Sequence, residues 1–240
     1  MKNAIIIGGT TGIGKGLADI LLANDYRVVV TGIEKDILDE LQNNGQKNLE
    51  VQYLDCLHDN TSQTISDLVK KMNGLDLLIL SAGIGQLNKN QGYTVENNAN
   101  KMNVLAFTEI ADWSYRFFEE QGHGHFASIS SISGLFGYRV APAYHAAKSY
   151  QIKYLEALRQ KAHRARLTGK PIYITDIRPG FVDTYMTQKR KMFWVATIEK
   201  ASKQIFTLIE KKRGYGYVTK RWHIVAQIIK IVPPWIRIRL

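Results

Sequence analysis

Tyr144 and Lys148 stand four residues apart in the run Tyr144-His145-Ala146-Ala147-Lys148. Positions i and i+4 share one face of a helix, so on a helix the ammonium lies near the phenol. A phenol with an ordinary pKa near ~10 is a poor base at neutral pH. A neighbouring cation favours phenolate and brings it toward the working range. Ser131 lies thirteen residues before Tyr144, at the end of the strand-like run Phe126-Ala-Ser-Ile-Ser-Ser131. In a parallel sheet the carboxyl ends of the strands line the crevice where ligands bind. A strand end carrying Ser131 and a helix start carrying Tyr144 would therefore meet over one site. A YxxxK pair alone is common in helices and carries no chemistry in most of them, so its meaning depends on what stands beside it.

What stands beside it is a glycine turn. Gly8-Gly9-Thr10-Thr11-Gly12-Ile13-Gly14 follows the first apolar run, with Gly8, Gly12 and Gly14 spaced GxxxGxG. Such a segment can turn tightly at a strand end, bring its backbone close to a pyrophosphate, and start a helix whose first amides face that anion. A plain turn is the alternative for any glycine cluster after a strand. The second strand ends in Thr31-Gly32-Ile33-Glu34-Lys35. A carboxylate at this point favours NAD and a cation favours NADP. No Asp follows the strand directly, Gly32 leaves room for a 2′-phosphate, no Arg is present, and Glu34 is two residues on. The balance favours NADP(H), with NAD(H) as the alternative. Lys35 is either a phosphate partner or a solvated lysine at a helix start.

The elements that must position these residues are legible as alternating apolar runs and helical patterns. Strands are expected at Ala4-Ile7, Arg27-Thr31, Leu49-Leu54, Leu75-Leu80, His125-Ser130, Pro171-Ile177 and Tyr215-Thr219. Helices are expected at Gly12 to Ala23, Glu34-Gln42, Thr61-Met72, Val95-Glu120, Pro142-Arg166 and Thr197-Glu210. Wholly apolar strands between amphipathic helices indicate a parallel sheet covered on both faces. Right-handed crossovers then give a doubly wound α/β fold of about seven strands. The rhythm breaks only near Tyr185-Val195, which is basic and aromatic. The whole of residues 1–240 reads as one domain, with a substrate lid over about 185–212 and a basic amphipathic tail over about 221–240.

With the glycine turn, the alternating pattern and Ser-x12-Tyr-x3-Lys together, the chain resembles the short-chain dehydrogenase/reductase family in its compact branch, over residues 2–187. The glycine loop fits that family's TGxxxGIG, with Ile7 in place of Thr. Asp55 and Cys56 follow the third strand, where the family has the Asp that touches the adenine ring. Leu80-Ser81-Ala82-Gly83 stands where the family has Asn-Asn-Ala-Gly. Both Asn residues are gone, and Ala82 and Gly83 remain. Asn103, in Lys-Met-Asn-Val, fits the helix Asn that holds a catalytic water. Pro179-Gly180-Phe181-Val182-Asp183-Thr184 fits PGxVxT, whose Val backbone and Thr hydroxyl hold the nicotinamide carboxamide.

The resemblance implies hydride transfer between NAD(P)H and a carbonyl. Tyr144 would protonate the carbonyl oxygen or deprotonate the alcohol. Lys148 would hold the ribose hydroxyls and lower the pKa of Tyr144. Ser131 would hydrogen-bond the substrate oxygen, and Asn103 would complete a proton relay through water to Lys148. Thr10, Thr11, Ile13, Gly32, Ile33 and Ser81 join the glycines and the PGxVxT residues as cofactor contacts. Tyr138, Tyr185 and Met186, with Ser131, fall in segments that border substrate. The resemblance also implies a homodimer or homotetramer, with helices at about 95–120 and 142–166 pairing between copies.

Several residues admit two readings. His123-Gly-His125 is a metal pair or, with no Cys or carboxylate at useful spacing, a plain turn before a strand; no metal is expected. His145 reaches substrate or packs. Cys56 is a small hydrophobe. Phe193-Trp194 covers an apolar substrate or makes a core contact.

The charge is placed unevenly. Residues 1–188 hold 19 basic and 19 acidic residues, while residues 189–240 hold 13 basic and 2 acidic and so carry the whole net charge of +11. A neutral body with a basic end suggests an anionic counterpart: a phosphorylated, carrier-linked or lipid-like substrate, an acidic partner or a membrane surface. Lys189, Arg190 and Lys191 stand just past the expected cofactor clamp. In the last twenty residues Ile224, Val225, Ile228, Ile229 and Val232 fall at helical spacing among Arg221, Lys230, Arg237 and Arg239, before Pro233-Pro234 and Trp235. Such a segment suits a membrane interface, or packs on the domain or a second subunit. Nucleic acid is not expected, since no binding module is visible. One cysteine excludes a disulfide framework and a zinc cluster. The start reads as a strand and not as a leader, and no apolar run reaches the ~20 residues that span a bilayer. A cytoplasmic setting, soluble or peripheral to a membrane, is expected. A non-catalytic NADP-reading regulator and a membrane-surface protein are the alternatives to an enzyme.

Overall fold

The computed structural model describes residues 1–90, 92–184 and 193–238. Seven parallel strands form one sheet: β1 (Lys2–Ile7), β2 (Tyr26–Gly32), β3 (Leu49–Tyr53), β4 (Leu77–Leu80), β5 (Gly124–Ile129), β6 (Ile172–Pro179) and β7 (Tyr215–Val218). Their order is β3-β2-β1-β4-β5-β6-β7. The chain thus winds outward from β1 in one direction, then returns to its other side at β4. The reversal lies between β1 and β4, where Ile7 pairs with Leu80 in register. A crevice opens at the carboxyl ends at such a point.

The helices are α1 (Gly12–Leu22), α2 (Lys35–Asn43), α3 (Thr61–Met72), α4 (Tyr93–Asn100), α5 (Phe107–Gln121), α6 (Pro142–Leu167), α7 (Ile198–Glu210), α8 (Arg221–Ile231) and α9 (Pro234–Arg237). Alternation along the strands sends side chains to two cores. In β1, Ile5 and Ile7 face a core closed by Ile65 of α3, Phe107 of α5 and Leu155 of α6. Ala4 and Ile6 face the other, closed by Leu17 and Leu21 of α1 and Ile205 of α7. Burial on both faces is why β1 and β4 read as unbroken apolar runs. Each such side chain contributes about 1.5–3 kcal/mol on removal from water.

Two departures from the sequence reading matter, and one choice it left open. The long helix expected over 95–120 is divided: α4 and α5 are joined by a π-helical segment, Lys101–Ala106, which contains Asn103. Such segments are frequent at functional sites, and apolar periodicity does not reveal them. Second, α7 is a core helix, with Ala201 and Ile205 fully buried and a side-by-side packing on α1. A lid reaching 212 is therefore corrected: residues 198–210 belong to the packed body and not to a cover over the crevice. The open choice concerns the basic tail, which is built partly into the body. Trp222 and Ala226 of α8 are buried, with Val225 and Ile229 packed against them. Ile224, Ile228 and Ile231 stay exposed.

Candidate active site

A cavity of about 650 Å³ opens at the carboxyl ends of the strands. Its walls gather residues remote in sequence: the glycine turn after β1, the end of β2, the loops after β3, β4, β5 and β6, and the start of α6. Gly8, Thr10, Thr11, Gly12, Ile13, Gly32, Ile33, Asp55, Cys56, Ser81, Ala82, Gly83, Ser131, Tyr138, Tyr144, Lys148, Pro179, Gly180, Val182 and Thr184 all line it. Two of the residues expected there do not. Gly14 lies behind the turn, where a Cβ would stand 2.1 Å from the Gly8 carbonyl oxygen. It serves the close packing of helix against strand end. Asn103 is buried, its side chain closed on a loop backbone: Oδ1 accepts from Ile84 N at 3.1 Å and Nδ2 donates to Ile84 O at 2.7 Å. Tyr185 and Met186, with Lys189, Arg190 and Lys191, lie outside the described residues.

The glycine-turn end has the character of an anion site. Thr11 precedes α1 without a side-chain cap among the described residues, and no acidic residue sits in that first turn. The first amides of α1 are thus unsatisfied by their own helix and open on the cavity, where a pyrophosphate fits. The Thr10 hydroxyl donates to Glu34 Oε2 at 2.7 Å, which draws that carboxylate back onto the glycine turn. The Lys35 ammonium lies over the Tyr53 ring, 5.3 Å from its centre. At Asp55, burial disfavours the charge, but the Leu57 amide at 2.9 Å and His58 together hold the carboxyl below its usual range. Burial pushes the neighbouring Cys56 thiol up to about 11, so it stays a neutral wall residue.

The loop after β4 answers the missing Asn pair. Leu80 ends the buried strand. The amides of Ser81 and Ala82 both donate to the Ile7 carbonyl, at 2.8 and 2.9 Å. Backbone bonds tie this loop to β1.

Tyr144 and Lys148 lie on the first two turns of α6. This helix has Pro142 at its start and no cap of its own. Glu96 of α4 supplies one from across the cavity edge, its Oε2 accepting from Ala143 N at 2.7 Å. A carboxylate at a helix N-terminus also complements the dipole. The Lys148 ammonium lies 5.8 Å from the centre of the Tyr144 ring. It donates to Ile129 O at 3.0 Å and to Gln151 Oε1 at 2.9 Å, and Gln151 Nε2 donates to Asn103 O at 2.9 Å. Burial lowers the pKa of Lys148 to about 8, against the pull of Asp176 upward. Asp176 is itself fully buried on β6, held by Arg178 at 2.6 Å and by the Ser130 hydroxyl. Ser131 lies two residues past the end of β5, and its Oγ accepts from Ser133 N at 3.1 Å as a short 3₁₀ turn begins.

The far end of the cavity is aromatic. Phe136, Tyr138 and Phe181 line it, with His145. His145 is buried, its Nδ1 2.8 Å from Phe136 O, and burial lowers its pKa, which keeps it neutral. Phe181 meets Phe193 and Trp222 edge-on, with ring centres 5.8 and 5.1 Å apart. Phe193 and Trp194 are largely exposed. Trp222 packs flat on Gly180, where any Cβ would fall 2.0 Å from the indole. Away from the cavity, His125 lies within β5, its Nε2 2.7 Å from Thr175 Oγ1, and burial holds it near pKa 3.

Glu96, Gln151, Phe181 and Trp222 were not singled out by chemistry in the sequence. Gln151 left a trace, as a polar residue one turn past Lys148 on an otherwise apolar helix face. Glu96 left none, because its partner is 47 residues away.

Comparison with known proteins agrees with this geometry. A family model described as short chain dehydrogenase matches residues 2–193. A very-long-chain 3-oxoacyl-CoA reductase of Rattus norvegicus is 27% identical over 97% of this chain and 76% of its own length. An uncharacterized oxidoreductase of Mycobacterium tuberculosis is 26% identical over 97% of this chain and 94% of its own. The solved structure of ElxO with NADP bound is 26% identical and superposes with a TM-score of 0.75 over 89% of this chain and 95% of that one. A short chain dehydrogenase from Burkholderia cenocepacia in complex with NADP, at 16% identity, shares the fold with a TM-score of 0.83 over 100% of this chain and 99% of that one.

Proposed function

The chain belongs to the short-chain dehydrogenase family, and from that premise we propose that it is an NADP(H)-dependent oxidoreductase acting on the carbonyl or secondary alcohol of an apolar, acyl-type substrate. The observation that carries this reading is one cavity with two chemically distinct ends. Uncapped helix amides and a glycine turn stand at one end, and Ser131, Tyr144 and Lys148 stand by the aromatic wall at the other. The resemblance to ElxO with NADP bound supports the cofactor. The resemblance to very-long-chain 3-oxoacyl-CoA reductases supports an acyl substrate.

The α1 N-terminus and the turn at Thr10–Ile13 would hold the pyrophosphate, Asp55 the adenine, and Lys148 the ribose, and Thr184 and the Val182 backbone would hold the carboxamide; all of these residues line the cavity. When bound, NADP(H) supplies or accepts the hydride. Ser131 directs a hydrogen bond to the substrate oxygen and fixes its position. Tyr144 gives its phenolic proton to that oxygen in reduction, or takes one from the alcohol in oxidation. Lys148 keeps positive charge beside the phenolate that forms. Acid–base help of this kind is worth ~10²–10⁴ in rate, and positioning adds to it. A panel of apolar ketones and 3-oxoacyl thioesters, followed by NADPH consumption and by isolation of the alcohol, tests the reading. Turnover is expected with at least one acyl member. NADPH binding with no carbonyl of the panel reduced would favour a non-catalytic, cofactor-reading protein.

The C-terminal segment supports peripheral attachment to an anionic membrane surface as part of this reading. No helix among the described residues is long and apolar enough to cross a membrane. Ile224, Ile228 and Ile231 recur along the exposed face of α8, followed by exposed Trp235 and Ile236, with Arg221 and Lys230 on the same helix. Apolar and cationic groups so arranged suit the boundary of anionic headgroups. Flotation with phosphatidylserine vesicles is expected, with little on phosphatidylcholine. The double variant Ile224→Asp/Ile228→Asp should lose it while keeping turnover on a soluble substrate. Equal flotation of variant and wild type would remove this part of the reading.

A further inference from the structure

The hydrogen bonds behind the reactive wall form a closed chain of protein groups. Gln151 Oε1 accepts from the Lys148 ammonium at 2.9 Å, and Gln151 Nε2 donates to Asn103 O at 2.9 Å. All three residues are buried: Asn103 is 1%, Gln151 2% and Lys148 4% exposed. The expected route from Lys148 to Asn103 ran through water. Here an amide side chain spans that gap and satisfies both ends. With Ile129 O as its second acceptor, the ammonium has one N–H left for the cavity among the described residues. Its direction is therefore set by two fixed acceptors. An amide does not hand a proton on, so the chain braces and does not conduct. The π-helical segment that carries Asn103 is fastened in turn by its side chain to Ile84. The brace therefore links α6 to the loop after β4 across the back of the cavity.

We propose, on the footing of the oxidoreductase reading, that Gln151 is a positioning residue: it aims the Lys148 ammonium at the cavity and takes the structural place of a relay water. The charged or titratable groups on the elements packed around that ammonium include Tyr144 and the buried His145 on the first turn of α6 itself, Asp176 on β6 with Arg178 paired to it, and Glu96 on α4 at the α6 N-terminus. The 3₁₀ turn Ile132–Leu135 carries none, and the π-helical segment carries only exposed Lys101. A buried ammonium that loses a neutral acceptor becomes harder to keep charged, and one that gains a carboxylate becomes easier.

The test reads Lys148 directly, without turnover. Protein with isotope-labelled lysine is titrated by NMR, and the Lys148 signal is assigned by its loss in Lys148→Met. In Gln151→Met the midpoint of Lys148 should fall by on the order of one pH unit, and in Gln151→Glu it should rise. In steady-state kinetics Gln151→Met should lower kcat about tenfold, with the carbonyl KM within about twofold, and Gln151→Glu should recover most of that loss because it restores an acceptor. Should Gln151→Met not fold, Gln151→Glu against wild type carries the test alone. Midpoints unchanged in the folded variants, or a kcat of Gln151→Met equal to wild type, would overturn the assignment. A wild type that reduces no carbonyl defeats the oxidoreductase reading instead, and the titration still decides whether Gln151 holds the ammonium.

Discussion

Tyr144→Phe is expected to cut turnover by at least ~10²-fold while leaving NADPH affinity within a few-fold of wild type. The phenolic oxygen is the only heavy atom removed, and the ring keeps its place on the first turn of α6 beside His145. The substitution leaves the glycine turn, Asp55 and Thr184, which line the cofactor-facing part of the cavity, as they are. A proton donor made only for the reaction should show in kcat, with binding little changed. Single-turnover rates at saturating NADPH, alongside a fluorescence titration of the cofactor, separate the two effects. Near-normal turnover of the variant on a good substrate would remove Tyr144 from the chemistry.

Lys148→Met should be as damaging to turnover and should also weaken NADPH binding by about tenfold, since one residue faces both the phenol and the ribose position. It makes a second, independent demand on stability. Burial holds the folded-state pKa of Lys148 at about 8, below the ordinary lysine value of 10.5. Between those two values the unfolded chain binds the proton that the folded chain has released, so stability from this group rises with pH across that window. Below pH 8 both states are charged, and the full cost of burying the ammonium is present. The difference in unfolding free energy, wild type minus Lys148→Met, should therefore increase from pH 8 toward pH 10 and be level below. Urea titrations of both proteins at several pH values measure it. A difference that stays level throughout would mean that the ammonium is solvated or paired well enough to keep its ordinary pKa.

The sequence carries most of the scaffold for a physical reason. Strands buried on both faces, such as Ile5–Ile7 and Leu77–Leu80, must be apolar throughout, and helices between them must show one apolar stripe. The pattern therefore announces a covered parallel sheet before any contact is known. The glycine turn is equally legible, because a close approach such as Gly14 against the Gly8 carbonyl tolerates no side chain. The site is legible only where its chemistry is local in sequence. Tyr144 and Lys148 are one helical turn apart, and Ser131 lies just past the strand that precedes them. What escaped were partners joined by the fold alone. Glu96 caps α6 from another helix. Gln151 of α6 reaches the carbonyl of Asn103, 48 residues away in a π-helical segment. Trp222 comes from the basic tail to wedge against Gly180. The tail leaves two readings open in the sequence, a membrane interface or packing on the body, because charge reports what a segment meets at its surface and not which of its apolar residues turn inward. The lid was drawn too long for a similar reason. The amphipathic pattern of 198–210 identifies a helix but does not say whether its apolar face meets the crevice or, as here, α1.

The central claim is that Tyr144 and Lys148 stand over a reduced nicotinamide and serve hydride transfer to a carbonyl. Transfer of deuterium from NADPH labelled at the reactive carbon, into the product of an acyl ketone, tests it most directly. Label is expected on the carbinol carbon with wild-type protein and is expected to vanish with Tyr144→Phe on the same timescale. Tight binding of the labelled cofactor with no label in any alcohol, or equal label with the two proteins, would contradict it.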